Sequence, residues 1–233
     1  MRAYALLGGP ENVWPADIQK RLNKEKKVGS LLIGVDRGSL LLEEMGLVPD
    51  LAIGDFDSLR PEELSKIEAN VHDIRYSNPV KDLTDSELMI RAAFIDYHVD
   101  QLTILGATGG RIDHFLVNLF MLLNPAVRCY AEKISLVDYQ NKIIFLDHGQ
   151  HLVQQQGEYP YFGVACLEKT ENLNILDARY ELHGFSTAYP RIFASNEFKK
   201  GNNRFHLNLS SGMAAVIFSK DINRFHNIYD ENV

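Results

Sequence analysis

The sequence from Leu31 to Ser39 reads LLIGVDRGS, an apolar run of five residues followed by an aspartate, an arginine and a glycine. A short apolar run bounded by polar and turn residues favours a buried strand, and the amphipathic segment Ser39 to Met45 favours a helix. Strands that lead directly into helices are the units from which parallel sheets are built. This stretch therefore predicts an α/β fold.

The same alternation of short apolar and longer amphipathic runs continues through the first half of the chain. The predicted strands are Tyr4 to Leu7, Leu31 to Val35, Leu51 to Ile53, His72 to Tyr76, Leu102 to Leu105 and Val127 to Tyr130. The predicted helices are Pro15 to Lys26, Ser39 to Met45, Pro61 to Ala69, Asp85 to Tyr97 and Ile112 to Leu123. Such crossovers are typical of a mostly parallel sheet covered by helices on both faces. We therefore predict a Rossmann-like, three-layer α/β domain with a mostly parallel sheet over residues 1–130.

The pattern changes after about Ala131 to short alternating segments separated by turn residues. Examples are Ile143 to Leu146 and Ala214 to Ser219, with turns at His148-Gly149 and Ser211-Gly212. Short alternating strands at close spacing are typical of all-β domains. Residues 131–233 are therefore predicted to form an all-β domain, joined to the first domain without a long linker.

Composition limits the class of partner. The formal net charge is −7, so no chain-wide basic surface is predicted for a nucleic-acid backbone or an anionic membrane. The apolar run Phe115 to Leu123 contains Asn118 and falls far short of the ~20 residues that a membrane span needs. Cys129 and Cys166 lack the paired spacing of a zinc site or a disulfide framework. These features predict a cytoplasmic protein that binds a small molecule.

Acidic residues follow the predicted strands, at the sheet edge where open parallel sheets bind ligands. Asp36 follows one strand, and Asp55 and Asp57 follow the next. In an extended backbone, side chains two residues apart leave on the same side, so these two carboxylates are candidates to share one Mg²⁺. A turn that caps a helix is the alternative interpretation.

A second acidic group lies in the segment Lys81 to Asp85, which reads KDLTD. Thr84 and the glutamate three residues later form a capping-box pattern that predicts a helix start. Asp82 and Asp85 either favour the positive end of that helix or act as further site residues. Lys81 beside them is a candidate phosphate contact.

The segment Gly106 to His114 reads GATGGRIDH and joins a predicted strand to a predicted helix. The backbone N–H groups of a glycine-rich turn at a helix start favour an anion, and Gly109 and Gly110 lie at its centre. Arg111 presents a planar donor fork that suits phosphate. A tight packing turn is the alternative, and the Walker A spacing does not occur in the sequence.

Acids, a glycine-rich turn and two cations at one sheet edge together favour metal-assisted phosphoryl transfer. His114 and Asn118, one helical turn apart, are either further site residues or a polar helix flank. The sequence contains no Gly-x-Ser-x-Gly elbow, so covalent catalysis by a serine is not predicted.

These motifs, in this order, resemble the thiamine pyrophosphokinase family. The resemblance rests on GDFDS at Gly54 to Ser58, KDLTDSE at Lys81 to Glu87, GATGGRIDH at Gly106 to His114 and SNE at Ser195 to Glu197. It implies that ATP and thiamine react to give thiamine diphosphate and AMP, with Mg²⁺ as the cofactor. It further implies that residues 1–130 bind the nucleotide and Mg²⁺ and that residues 131–233 form a β-sandwich. The resemblance also implies a homodimer whose thiamine site lies at the subunit interface, with the β-sandwich contributing to both.

The roles of individual residues follow from this resemblance. It implies Asp55, Asp57 and Asp85 as Mg²⁺ ligands, Asp36, Lys81, Asp82, Thr84, Gly109, Gly110, Arg111 and Asp113 around the nucleotide and reaction centre, and Tyr189, Ser195 and Asn196 at thiamine. Either Asp55 or Asp113 is the candidate base. Two features depart from the family pattern: Arg37 stands where a glycine is usual, and the segment Gly184 to Asn196 is short.

Two other functions fit the sequence. The first is a related diphosphokinase that acts on another small alcohol, such as a hydroxymethylpterin. The second is a nucleotide-binding regulatory module without turnover, whose β-domain recognises a protein partner. The number of acidic residues at the predicted site favours an enzyme over the regulatory module.

Overall fold

The computed structural model describes residues 1–78 and 83–221. The helices are α1 (Ile18–Lys27), α2 (Arg37–Glu44), α3 (Pro61–Asn70), α4 (Asp85–Arg91) and α5 (Ile112–Phe120). The strands are β1 (Arg2–Leu6), β2 (Leu31–Val35), β3 (Leu51–Gly54), β4 (Asp73–Tyr76), β5 (Gln101–Leu105), β6 (Ile134–Val137), β7 (Asn141–Leu146), β8 (Gly149–Gln154), β9 (Tyr161–Cys166), β10 (Thr170–Leu176), β11 (Leu182–Thr187), β12 (Arg191–Glu197), β13 (Arg204–Leu209) and β14 (Ala214–Ser219).

One mixed sheet of ten strands runs through the molecule in the order β12-β9-β14-β7-β6-β5-β1-β2-β3-β4. The six strands from β6 to β4 pair in parallel, and those from β12 to β7 pair antiparallel. Helices cover both faces of the parallel part, because Met89 of α4 packs in one core cluster and Leu22 of α1 packs in another. At this level the structure confirms helices packed on a mixed sheet, and the Rossmann-like three-layer domain stays a prediction.

A second sheet of four strands has the order β11-β10-β13-β8 and is antiparallel. Its inner face shares a core cluster with the antiparallel end of the large sheet. Phe162 of β9 stacks on Phe205 of β13 with ring centroids 4.1 Å apart. The second half of the chain therefore buries its alternating apolar residues between two facing sheets.

The large sheet continues across the predicted domain boundary. β6 follows residue 130 in the chain, yet it pairs in parallel with β5. β6 then pairs antiparallel with β7, so this strand joins the two parts of the sheet. The division into domains at residue 130 stays a prediction.

The predicted strand Val127 to Tyr130 is wrong. Residues Arg128–Lys133 form a 3₁₀ segment, and the next strand begins at Ile134. The Arg128 and Tyr130 backbone N–H groups donate to carbonyls three or four residues earlier in the chain. Val127 and Ala131 are the buried residues of this segment, so its apolar spacing is that of a turn of helix rather than the two-residue period of a strand.

The other predicted elements are confirmed, with small shifts at their ends. α4 is shorter than predicted, since the chain from Ala92 to Asp96 continues as a single π-helical segment. α5 is followed by a short 3₁₀ turn over Met121–Leu123. Within the described residues, no helix is long and apolar enough to span a lipid bilayer.

Candidate active site

A cavity of about 540 Å³ opens at the carboxyl ends of the parallel strands. It is lined by Leu7, Gly8, Gly9, Pro10, Val35, Asp36, Arg37, Asp57, Ser58, Thr84, Asp85, Ser86, Gly106, Ala107, Thr108, Gly110, Arg111, His114, Val117 and Asn118. The predicted position of the site at this sheet edge is therefore matched by a cavity of the size that small-molecule sites require. Every described lining residue comes from the first half of the chain.

The loop Gly8-Gly9-Pro10 after β1 forms part of the cavity wall and was not predicted as a site segment. The Gly9 backbone N–H donates to the Gly106 carbonyl at 3.0 Å, which fixes this loop against the one after β5. The sequence held a signal, because two glycines follow directly at the carboxyl end of a parallel strand. Two glycine-containing loops thus meet at one side of the cavity.

Asp36 lies at the start of α2 and connects the ends of β2 and β3. Its backbone has a φ of 48°, and its Oδ1 accepts a hydrogen bond from the Phe56 N–H at 3.3 Å. Burial, the neighbouring charge of Asp85 and smaller contributions from Asp55 and Asp57 together raise the pKa of Asp36 to about 6. Three other carboxylates are therefore close enough to act on Asp36.

The backbone between Asp55 and Asp57 is not extended, so the prediction of two carboxylates leaving a strand on the same side is wrong. Phe56 has a φ of 57° and is buried. The Asp57 N–H donates to Asp55 Oδ1 at 3.1 Å, which closes a tight turn. Asp57 lines the cavity, whereas Asp55 is not among the lining residues and accepts the hydrogen bond that closes the turn.

The predicted capping box at α4 is confirmed. The Thr84 hydroxyl accepts from the Glu87 N–H at 3.3 Å, and the Glu87 carboxylate accepts from the Thr84 N–H at 2.7 Å. This cap holds Asp85 in the first turn of the helix, where it lines the cavity beside Thr84. Lys81 and Asp82 lie outside the described residues.

The described residues contain no group of three or more His, Cys, Asp or Glu side chains arranged to hold a metal ion. Mg²⁺ does not need such a cage, because it commonly takes one or two protein carboxylates and completes its shell with water and substrate phosphate. Asp57 and Asp85 line the cavity with carboxylate oxygens, the donor type that Mg²⁺ prefers. The chemistry of this donor set fits the cofactor, and the ligand set Asp55, Asp57 and Asp85 stays a prediction.

Arg111 and Asp113 form a two-point ion pair at the mouth of the cavity. Arg111 Nη2 lies 2.5 Å from Asp113 Oδ2, and Arg111 Nε donates to Asp113 Oδ1 at 3.1 Å. Hydrogen bonds from Arg111 lower the pKa of Asp113 to about 2. Both side chains are exposed, so the guanidinium is accessible to an incoming anion. Arg111 lines the cavity and Asp113 lies just outside it.

Asn118 lines the cavity, and both of its predicted roles stay open. This buried amide donates from Nδ2 to the Ala107 carbonyl at 3.1 Å and accepts from the Ser86 hydroxyl at 3.2 Å. It therefore ties the loop after β5 to the start of α4. His114 also lines the cavity.

Comparison with known proteins identifies the family. Residues 22–136 match the thiamin pyrophosphokinase catalytic domain, and residues 150–214 match the thiamin pyrophosphokinase vitamin B1 binding domain. The chain is 31% identical over 216 residues to thiamine pyrophosphokinase of Bacillus subtilis, covering 92% of this chain and 96% of that protein. The chain belongs to the thiamine pyrophosphokinase family.

Solved structures agree with this membership. A thiamin pyrophosphokinase family protein from Enterococcus faecalis is 34% identical, with a TM-score of 0.84, over 95% of this chain and 100% of that one. A protein from Lactobacillus plantarum has the same identity and TM-score, over 95% of this chain and 99% of that one. Both similarities extend across nearly the whole chain, including the two facing sheets.

The predicted thiamine contacts lie in the part that matches the family's vitamin B1 binding domain, and they are not among the residues that line the cavity. Tyr189 is 65% exposed in the connection between β11 and β12. Ser195 is exposed, with a φ of 60°, in an irregular part of β12. The Asn196 amide is buried and bonds to the Tyr180 backbone through Oδ1 at 3.1 Å and Nδ2 at 2.8 Å. Within one chain the structure does not bring these residues into the cavity wall.

Substitution of Asp36 by asparagine is expected to stabilise the protein at neutral pH. The pKa of Asp36 is raised to about 6 in the folded chain, so its contribution to stability is fully present below pH ~4 and is lost as the pH rises through ~6. Asparagine stays neutral, tolerates the positive φ and keeps the acceptor for Phe56. We expect Asp36→Asn to raise the free energy of unfolding by about 1–3 kcal/mol at pH 7.5.

This expectation is tested by urea unfolding without Mg²⁺ or nucleotide at pH 7.5 and at pH 4. The gain should be smaller at the lower pH, where Asp36 is protonated in the folded chain and only partly ionised in the unfolded chain. Asp17→Asn, at the exposed N-terminus of α1, serves as the matched control. A gain of the same size at both pH values would show that the charge of Asp36 is not its cause.

Proposed function

We propose that this protein is a thiamine pyrophosphokinase that transfers the terminal diphosphoryl group of ATP to the hydroxyl of thiamine. The observation that carries the proposal is the cavity at the ends of the parallel strands. Glycine-containing loops line one side of it, and Asp36, Asp57 and Asp85 line the other. Membership of the thiamine pyrophosphokinase family supports the same reaction.

The ATP phosphates are proposed to bind against the loop that contains Gly109 and Gly110. Backbone N–H groups at the start of α5 and the guanidinium of Arg111 supply donors to a polyanion there. Arg37, at the first turn of α2, adds a second cation to the cavity wall. Thr84 and the Lys81-Asp82 pair are proposed to complete the nucleotide site.

Mg²⁺ is the proposed cofactor, with Asp55, Asp57 and Asp85 as its candidate ligands. When bound, it would neutralise phosphate charge and help to orient the transferred group. The three carboxylates would position the cation and give the site its negative charge. Asp36, which lines the cavity with Asp57 and Asp85, contributes to the electrostatic field of the site.

In the proposed reaction, the thiamine hydroxyl oxygen attacks the β-phosphorus of ATP and the bond from this phosphorus to the α–β bridging oxygen breaks. AMP leaves with that oxygen, and the hydroxyl proton passes to a carboxylate or to water. Asp113 and Asp55 are the candidate acceptors. The low pKa of Asp113 means that it is ionised and free of a proton at neutral pH, although its pairing with Arg111 weakens it as a base.

The acceptor site is proposed to require a second copy of the chain. Tyr189, Ser195 and Asn196 are the candidate thiamine contacts, and in one chain they are not part of the cavity wall. A homodimer would bring these residues of one copy to the cavity of the other. The proposed architecture is a Rossmann-like three-layer domain followed by a β-sandwich that supplies the acceptor site and the dimer interface.

The reaction is tested by incubating the purified chain with ATP, thiamine and Mg²⁺ and separating the products by liquid chromatography. We expect thiamine diphosphate and AMP in equal amounts. Formation of ADP would contradict diphosphoryl transfer. Parallel reactions with a hydroxymethylpterin test the alternative acceptor, and ATP binding without any product would favour the regulatory module.

Arg111→Lys is expected to lower kcat about tenfold while the fold is retained. A lysine keeps the charge but cannot reproduce the two-point contact of a guanidinium with phosphate. The exposure of this side chain means that little packing is lost. Steady-state kinetics, with circular dichroism as the check on folding, measures the effect.

Lys133→Arg, on an exposed residue away from the cavity, is the control for a change between the two cationic side chains. It should leave kcat unchanged. Wild-type kcat in Arg111→Lys would show that the guanidinium makes no specific phosphate contact.

Tyr189→Ala is expected to raise the KM for thiamine severalfold and to leave the KM for ATP nearly unchanged. An aromatic ring supplies the flat apolar face that a heteroaromatic acceptor requires, and Tyr189 exposes 65% of its surface. Tyr180→Ala, another exposed tyrosine in the second half of the chain, is the matched control. Equal changes in both constants would locate the acceptor site elsewhere.

A further inference from the structure

The glycine-rich loop after β5 needs an external support to keep one conformation. From Gly106 to Gly110 it reads GATGG, and its glycines have φ values of 69° at Gly106 and 82° at Gly109. Glycine gives a loop access to many conformations, so holding it in one of them costs more conformational entropy than for any other residue. A phosphate site built from backbone N–H groups works only if those groups are held in place.

Thr108 carries the side-chain hydrogen-bonding group of this loop. Its hydroxyl donates to Asp138 Oδ2 at 2.7 Å, across a separation of 30 residues in the chain. Thr108 lines the cavity and both residues are half-buried. The loop is therefore tied by one short hydrogen bond to the turn between β6 and β7.

Asp138 is itself held rigidly in that turn. Its Oδ1 accepts from the backbone N–H of Gln140 at 2.7 Å and of Asn141 at 2.6 Å. The Asn141 amide donates to both carboxylate oxygens at 3.2 Å. The carboxylate thus has a fixed orientation before it meets Thr108.

A second set of contacts joins the turn between β6 and β7 to the glycine-rich loop, by way of Val13. The Tyr139 N–H, next to Asp138, donates to the Val13 carbonyl at 2.7 Å. Val13 packs so closely on the loop that a β-carbon at Gly109 would lie 2.4 Å from Val13 Cγ2. The hairpin turn therefore holds the loop at Thr108 and, through Val13, at Gly109.

We infer that Asp138 is a positioning residue that, through Thr108, holds the glycine-rich loop in the conformation that binds the ATP phosphates. The inference rests on the proposed function for the identity of the ligand. Asp138 lies outside the cavity wall, so it acts on the nucleotide through the loop and not by contact. Loss of the Thr108 to Asp138 hydrogen bond should weaken binding of ATP and leave binding of thiamine unchanged.

The test measures the ATP dissociation constant by calorimetry and the two KM values by steady-state kinetics. Thr108→Val keeps the shape of the side chain and removes the donor, and we expect a rise of about fivefold in the ATP dissociation constant. Thr108→Ser restores the donor and should restore binding. Thr103→Val is the same substitution at a threonine outside the loop, where it removes a longer contact of 3.5 Å between the Ser135 and Thr103 hydroxyls on β6 and β5, and it should change neither constant.

A double-mutant cycle separates positioning from a general loss of structure. Asp138→Ala should also raise the ATP dissociation constant, and the double variant with Thr108→Val should be no worse than Asp138→Ala alone. The inference would be overturned if the rise in the ATP dissociation constant of the double variant equalled the product of the two single rises. It would also be overturned if Thr108→Val left ATP binding unchanged. Weakened ATP binding in Thr108→Val with wild-type binding in Asp138→Ala would also overturn it, because Thr108 would then contact ATP directly.

Failure of the proposed reaction gives a different result. A wild-type chain that binds ATP and makes no thiamine diphosphate would overturn the reaction, and the calorimetric cycle would still decide the role of Asp138. A wild-type chain that binds no ATP would overturn both.

Discussion

Asp57→Asn is expected to lower kcat about 100-fold, a loss of about 2.7 kcal/mol of transition-state stabilisation. An amide has nearly the same size as a carboxylate but is a much poorer ligand for Mg²⁺. Asp57 is exposed in the cavity wall, and only its backbone N–H bonds to Asp55 in the turn. The substitution therefore removes charge from the site without removing the contact that closes the turn.

Activity at saturating ATP, thiamine and Mg²⁺ measures this loss, and thermal unfolding checks that the fold is retained. Asp17→Asn removes one negative charge from the exposed start of α1 and is the matched control. It should keep wild-type kcat. If Asp57→Asn also turned over at the wild-type rate, Asp57 would not be a metal ligand.

Gly38→Ala is expected to lower the free energy of unfolding by about 3 kcal/mol, the largest effect on stability among these predictions. A β-carbon at this position would lie 1.9 Å from the Leu6 carbonyl oxygen. The obstacle is backbone of the central strand β1, which cannot rotate away as a side chain can. Helix α2 would have to move from β1, and Asp36 directly before it would move too.

Gly29→Ala is the matched control, since a β-carbon there has no heavy atom within 4 Å. Its cost comes from the positive φ of 81° alone, which we expect to be about 1 kcal/mol. Urea unfolding of both variants gives the comparison. Equal destabilisation by the two substitutions would show that contact with Leu6 is not what excludes a side chain at residue 38.

Much of the parallel sheet could be predicted because its strands are buried on both faces. The run from Leu31 to Val35 is wholly buried, and its predicted bounds are those of β2. A continuous apolar run has few alternatives in a chain of this composition. The predicted strand from Val127 to Tyr130 was wrong. An apolar run this short does not distinguish a strand from a turn of helix.

The site was predicted where local sequence dictates local structure. The Thr84 cap needs only the glutamate three residues later, and the hydrogen bonds between them are present. Asp55 and Asp57 were placed correctly after β3, but their relative orientation was not predictable. It depends on Phe56, which is 2% exposed and packs edge-on against Tyr76 at 5.4 Å, and this burial holds the residue at a positive φ.

The sequence by itself determined the α/β character of the first half, the order of the motifs and the family to which they belong. Each of these depends on residues that are neighbours in the chain. Only the tertiary structure decided that Gly9 meets Gly106, that Thr108 donates a hydrogen bond to Asp138 and that Asp36 is half-buried near other acids. Those contacts join residues that are far apart in the chain, and the sheet order that brings them together is set by packing of the whole core rather than by any local pattern.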